Sequence, residues 1–263
     1  MDNEKVLKKR QQIAVCQWCL PDSGPQGLKL AAELGYDGVE MDMGLNRTEY
    51  SLLEPHILEQ FLAARESAGI QTPSLALNYL GLNNPAARKE TEKTIDRAIE
   101  IAVKLSAATL QLCSFWHEGM RDEAEFSETV EILRYACGRA KSYGIAIGSE
   151  NQLDVEGNLR LVKEVGEENF GIYFDTANPY LFDDREGLAM LPLLYPHICE
   201  LHIKDYRKAE KWECVPLGEG QCYALEAAGL LKARGYKNWT VVENNLSAGE
   251  LERDVRTLRE LFA

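Results

Sequence analysis

Four short apolar runs in the second half of the chain each stop on a residue that can bind a metal ion. They are Ile145-Ala-Ile-Gly-Ser-Glu150, Phe170-Gly-Ile-Tyr-Phe-Asp175, Ile198-Cys-Glu-Leu-His202 and Trp239-Thr-Val-Val-Glu243. Runs of this length and β-branched content predict buried parallel strands. Three carboxylates and one imidazole suit a hard or borderline divalent cation, Mn2+ first, with Mg2+, Co2+ or Zn2+ as alternatives. An aspartate at a strand end often caps the next helix, and a lone histidine is often a satisfied core residue. Glutamate caps poorly, however, and four such residues on consecutive strands favour one shared ion. Without it, three buried like charges would repel and take up protons.

The elements that must position these residues follow an alternating pattern. Strands are predicted over 13–18, 36–41, 71–77 and 108–115, then at the four runs above. Helices are predicted over 27–34, 54–68, 86–105, 123–143, 155–165, 185–194, 224–234 and 248–262, with a long loop at 205–222. The apolar stripe Ile95, Ala98, Ile99, Ala102 and Leu105 marks the third helix as amphipathic. Gly35, Gly69 and Gly144 stand where helices should stop. Strands alternating with helices require parallel pairing through right-handed crossovers. Eight such units in 263 residues predict a (β/α)8 TIM barrel, α/β in class, with residues 1–263 forming a single domain. A doubly wound open sheet is the competing arrangement. Glu150 to Asp175 spans 25 residues and Asp175 to His202 spans 27, one unit each; His202 to Glu243 spans 41, longer by about the predicted loop. In such barrels the carboxyl ends of the strands carry the chemistry.

The mouth of such a barrel should also hold Trp18, at the end of strand one, and Trp116-His117, after strand four. Trp18 and Trp116 are candidates for an apolar wall against the C–H face of a sugar. Rim packing is the alternative, and His117 stays open between the two. Lys204 and Asp205 directly follow His202 and should either touch a substrate or pair with each other.

Composition narrows the class. Lys and Arg number 29 against 42 Asp and Glu, a net charge of −13, which disfavours nucleic acid as a partner. Seven cysteines show no disulfide framework. The one C-x-x-C, Cys16-Gln-Trp-Cys19, reads as two small residues in the first strand rather than a redox pair. Reduced thiols, no signal peptide and no membrane span predict a cytoplasmic protein acting on a small molecule. Barrels of this type often pair through exposed faces, which leaves a homo-oligomer open. No phosphate-binding glycine loop of known type is present.

Leu201-His-Ile-Lys-Asp-Tyr206, then Val215-Pro-Leu-Gly-Glu-Gly220, then Leu230 to Tyr236 and Val242-Glu243 occur in this order. With Tyr36-Asp-Gly-Val-Glu40 and Ser149-Glu-Asn151, they resemble the xylose-isomerase-like superfamily, in its sugar-phosphate isomerase/epimerase and ketose 3-epimerase branch. The resemblance implies that Glu150, Asp175, His202 and Glu243 are metal ligands. It also implies that Glu150 and Glu243 are catalytic, moving protons on opposite faces of the bound sugar. Glu156 corresponds to a substrate-contacting position, with a solvated first-turn charge as the alternative. Where the branch carries a histidine three residues after the aspartate, this chain has Asn178, which hydrogen-bonds but cannot carry a proton. A substrate-binding arginine of that branch falls at Lys208 here, and the neighbouring Arg207 is the candidate for its role.

The implied reaction removes a proton next to a carbonyl, through a metal-stabilised enediolate, giving epimerisation or aldose–ketose isomerisation of a sugar, polyol or sugar phosphate. The same site in a lyase would dehydrate a keto-inositol- or dehydroshikimate-like substrate. Apurinic endonucleases of the superfamily use many histidines, and only His56, His117, His197 and His202 are present here. A non-catalytic sugar sensor fits poorly with an intact ligand set.

Overall fold

Eight short strands pair in parallel and close on themselves in the computed structural model, which describes residues 10–44, 48–78, 80–115, 119–183 and 186–263. They are β1 (Ile13–Cys16), β2 (Gly38–Asp42), β3 (Ser74–Leu77), β4 (Thr109–Ser114), β5 (Ala146–Asn151), β6 (Phe170–Asp175), β7 (Ile198–Ile203) and β10 (Thr240–Val242). Their order is the order of the chain, and β10 pairs with β1 to close the ring. The helices are α1 (Pro25–Leu34), α2 (Pro55–Ala68), α3 (Arg88–Leu105), α4 (Glu123–Ala140), α5 (Val155–Val165), α6 (Asn178–Asp183), α7 (Gly187–Leu194), α8 (Ala224–Ala233) and α9 (Ala248–Phe262). The predicted single TIM-barrel domain is the observed architecture.

Local chemistry accounts for the boundaries. Pro55 opens α2, where its missing N–H costs nothing. Asp122 and Asp154 cap α4 and α5 through their side chains, and Ser247 with Glu250 forms a capping box on α9. Gly35 ends α1 at φ 98°, a conformation that would strain any other residue type. The apolar stripe of α3 is buried against the barrel as its periodicity predicts.

Two segments differ from the sequence reading. The expected helix over 185–194 is found as α7, but an additional short helix, α6, precedes it and begins only three residues after Asp175. The expected loop at 205–222 contains an antiparallel hairpin, β8 (Asp205–Lys208) and β9 (Trp212–Val215). Its strands are too short and too charged to register as an apolar run. Beyond the hairpin, the Asp205 carboxylate accepts backbone N–H groups from Tyr206, Gly218, Gly220 and Cys222 at 3.0–3.1 Å. A Cβ at Gly220 would lie 2.2 Å from Asp205 Oδ1, so only glycine lets the loop approach this closely. All seven cysteines are free thiols, and Cys19 lies in a 3-10 turn beyond β1. No described helix is long and apolar enough to cross a membrane.

Candidate metal centre and active-site cavity

Alternation along the strands turns a second set of residues inward, and at the carboxyl ends of β5, β6, β7 and β10 that set meets. Glu150, Asp175, His202 and Glu243 are all buried, and one ligand atom from each lies within 4.8 Å of the others. His202 Nδ1 is 3.4 Å from Glu150 Oε1, 3.5 Å from Glu243 Oε2 and 3.8 Å from Asp175 Oδ2.

Each carboxylate has an oxygen tied by a fixed donor. Gln111 Nε2 donates to Glu150 Oε2 at 2.8 Å, and Trp18 Nε1 donates to Glu243 Oε1 at 3.0 Å. Asp175 Oδ1 accepts the backbone N–H groups of Ala177 and Asn178, both at 2.7 Å. Asp175 therefore serves both roles considered from sequence: one oxygen caps the start of α6 while the other faces the centre. Asn178 Nδ2 donates to the inner oxygen of Glu150, Oε1, at 2.8 Å.

Lys204 brings positive charge to this crowd. Its Nζ lies 2.5 Å from Glu243 Oε2 and 2.9 Å from Asp175 Oδ2. Of the two alternatives for Lys204 and Asp205, neither is a mutual pair: Lys204 joins the carboxylates and Asp205 anchors the loop. Burial opposes a charged ammonium, yet Asp175, Glu243 and Glu150 together push the Lys204 pKa well above its usual value. His202 behaves alike: burial lowers its pKa, and Glu40, Glu243 and Glu150 more than reverse this. Burial pushes Asp175 up to about 6 despite the neighbouring ammonium.

The donor set fits a divalent cation. It is buried, offers three carboxylates and one imidazole, and leaves Asp175 Oδ2 with no hydrogen bond, facing Lys204 Nζ and His202 Nδ1 as ion-pair neighbours.

Above the cluster opens a cavity of about 460 Å3, of the size that holds small ligands. Glu150, Asn178, Lys204 and Glu243 lie at its foot, and Trp18, Phe115, Phe182, Tyr206 and Trp212 supply aromatic walls. Trp18 thus both walls the cavity and holds Glu243. Trp116 and His117 lie outside the described residues. Two expected substrate contacts are not brought here. Glu156 is exposed on the first turn of α5, where its side chain projects from the helix into solvent. Arg207 is exposed and pairs across the hairpin with Glu213 at 3.7 Å, because strand alternation sends Tyr206, not Arg207, to the cavity. A concavity of about 730 Å3 at the opposite end, beside Arg65, Gln71 and Trp239, holds no such cluster among the described residues.

Sequence reasoning missed Phe115, on the loop after β4, Phe182, on the unexpected helix α6, and Tyr206 and Trp212, on the unrecognised hairpin. It also missed Glu40, an acidic residue inside the buried run Gly38–Asp42, whose Oε2 lies 2.5 Å from His202 Nε2. An acid in a fully buried strand was the available signal.

Comparison with known proteins agrees with this architecture. A 2-epi-5-epi-valiolone 7-phosphate 2-epimerase from Actinoplanes sp. is 31% identical over 197 residues, covering 74% of this chain and 72% of that protein. Among solved structures, a xylose isomerase-like TIM barrel protein from Mycobacterium smegmatis in complex with magnesium superposes with a TM-score of 0.78 at 16% identity, covering 96% of both chains. A D-tagatose 3-epimerase-like protein gives a TM-score of 0.77 at 20% identity, covering 95% of this chain and 96% of that one. The family model for xylose isomerase-like TIM barrels matches residues 28–261, and the chain belongs to that family.

Proposed function

We propose that this protein is a divalent-metal-dependent epimerase or isomerase of a small sugar or sugar phosphate, with Mn2+ as its metal. The observation that carries the reading is the disposition of Glu150 and Glu243. Each has one oxygen held by a fixed donor and the other turned to a common centre at the foot of the cavity. The 31% identical epimerase supports the reaction class.

Glu150, Asp175, His202 and Glu243 would hold the cation, which supplies polarisation of a substrate carbonyl oxygen. The residues of the chain do the rest. One glutamate takes the proton from the carbon next to the carbonyl, and the other returns a proton on the opposite face. A positioned carboxylate base contributes about 10²–10⁴-fold. Trp18 keeps Glu243 from rotating away from the reacting carbon. The Lys204 ammonium stands where negative charge develops on oxygen and stabilises it. Asn178 steadies Glu150, and the aromatic walls pack against the ligand's C–H faces and exclude water.

The test is incubation with a panel of ketoses, ketose phosphates and keto-inositols in D2O with Mn2+. The expected result is deuterium at the carbon next to the carbonyl together with inverted configuration or a moved carbonyl. Loss of water from the substrate would make the protein a lyase on the same site. Full turnover after exhaustive chelation would overturn the metal assignment.

A further inference from the structure

Glu40 lies behind the metal-ligand histidine, fully buried on β2. Its Oε2 is 2.5 Å from His202 Nε2 and 3.3 Å from the Cys16 thiol, while its Oε1 has no hydrogen-bond partner at all. Core carboxylates left half-satisfied are costly, and replacing them with an apolar group of similar volume is often stabilising. Glu40 therefore does not owe its place to stability. The other edge of the same imidazole, Nδ1, faces Glu150, Asp175 and Glu243 at 3.4–3.8 Å. The Tyr173 ring packs edge-on at 4.6 Å between centroids and leaves the imidazole little freedom to turn. Both ring nitrogens are thus assigned: one to Glu40, the other to the cluster.

We propose that Glu40 is the positioning residue of the metal centre: it takes the Nε2–H of His202, which fixes the ring's orientation and tautomer and leaves the Nδ1 lone pair for the cation. This inference rests on the metal-site reading above. A carboxylate bonded to the far nitrogen also makes the imidazole a stronger donor, and losing such a partner typically costs about 10–100-fold in metal affinity.

The experiment titrates Mn2+ into metal-free wild type, Glu40→Leu and Glu40→Gln by calorimetry, with melting curves in chelator. The expected result is about 10–100-fold weaker Mn2+ binding in Glu40→Leu, with a metal-free melting temperature no lower than wild type. Glu40→Gln keeps an acceptor oxygen and should lose less than about tenfold. If Glu40→Leu does not fold, Glu40→Gln is read by its 15N-histidine spectrum with Zn2+ bound, which should show His202 protonated at Nε2 as in wild type. Unchanged Mn2+ affinity in Glu40→Leu, or a wild-type spectrum with the proton on Nδ1, overturns the role of Glu40 and leaves the metal site standing. Failure of wild type to bind Mn2+ overturns both.

Discussion

At the mouth of the barrel Glu150, Asp175 and Glu243 crowd around His202 with Lys204 among them; one layer deeper on the same strand β7, two residues before His202, Glu200 is buried with no cationic side chain bonded to it among the described residues. Ser74 Oγ donates to Glu200 at 2.9 Å, and Tyr173 OH is 3.3 Å away. Burial, reinforced by the charge of Glu40, pushes Glu200 up to about 8, so at neutral pH it keeps its proton. The two layers solve one problem oppositely. The deep layer neutralises its acid with a proton and satisfies it with hydroxyls. The mouth keeps its acids close to a lysine and a histidine. Only the second arrangement leaves carboxylate oxygens turned to a common centre.

This contrast can be broken from either side. The largest effect is expected at the mouth: Glu243→Gln should cut turnover about 10²–10⁴-fold, by steady-state kinetics, with an unchanged circular dichroism spectrum. A substitution this small leaves the Trp18 hydrogen bond an acceptor, so near-normal activity would remove Glu243 from the reaction. Lys204→Met should destabilise the metal-free protein by about 3–5 kcal/mol, because it strips the ammonium from a buried cluster of acids. Mn2+ should restore most of that loss in a denaturant titration; absence of rescue would mean that the cluster does not bind the ion.

The deep layer predicts a pH effect. Glu200 has a raised folded pKa, so between its ordinary value of 4.5 and about 8 the native state holds a proton that the unfolded chain releases. Its contribution to stability is complete below 4.5 and is lost as pH rises towards 8. The slope is at most about 1.4 kcal/mol per pH unit. Glu200→Gln should flatten that fall relative to wild type in urea melts at several pH values; parallel curves would show that Glu200 is not a neutral acid. The smallest effect should be Trp18→Phe, which keeps the ring but deletes one hydrogen bond to Glu243. A loss of roughly 0.5–1.5 kcal/mol, about 2- to 13-fold in kcat/KM, is expected, with metal affinity largely kept.

The barrel was legible because its signals are local and repeated: a short apolar run followed by an amphipathic helix, eight times over, with glycines closing several of the helices. The cluster was legible because ligand residues at strand ends interrupt apolar runs. Glu40 and Glu200 broke the same rule, yet they sit within strands, and sequence alone does not reveal which inward-facing acid lies behind which ligand. The cavity walls were hidden for another reason. Phe115, Phe182 and the hairpin pair Tyr206 and Trp212 come from three separate segments, and only the closed ring brings them together. Arg207 shows the converse: the right type beside the right position, turned outward by the pleat of a hairpin that composition did not betray.

The anchoring of the 216–222 segment by Asp205 has a consequence for how this enzyme class diversifies. One carboxylate, seated beside the ligand-bearing strand, ties down both the start of the hairpin that carries Tyr206 and Trp212, two cavity-wall residues, and the segment that follows it. The wall contributed by the hairpin is a segment separate from Glu150, Asp175 and Glu243, and is held by Asp205 with Gly220 close against it. If the proposed function holds, grafting foreign sequence between those two residues would be a way to change which ligand the cavity accepts.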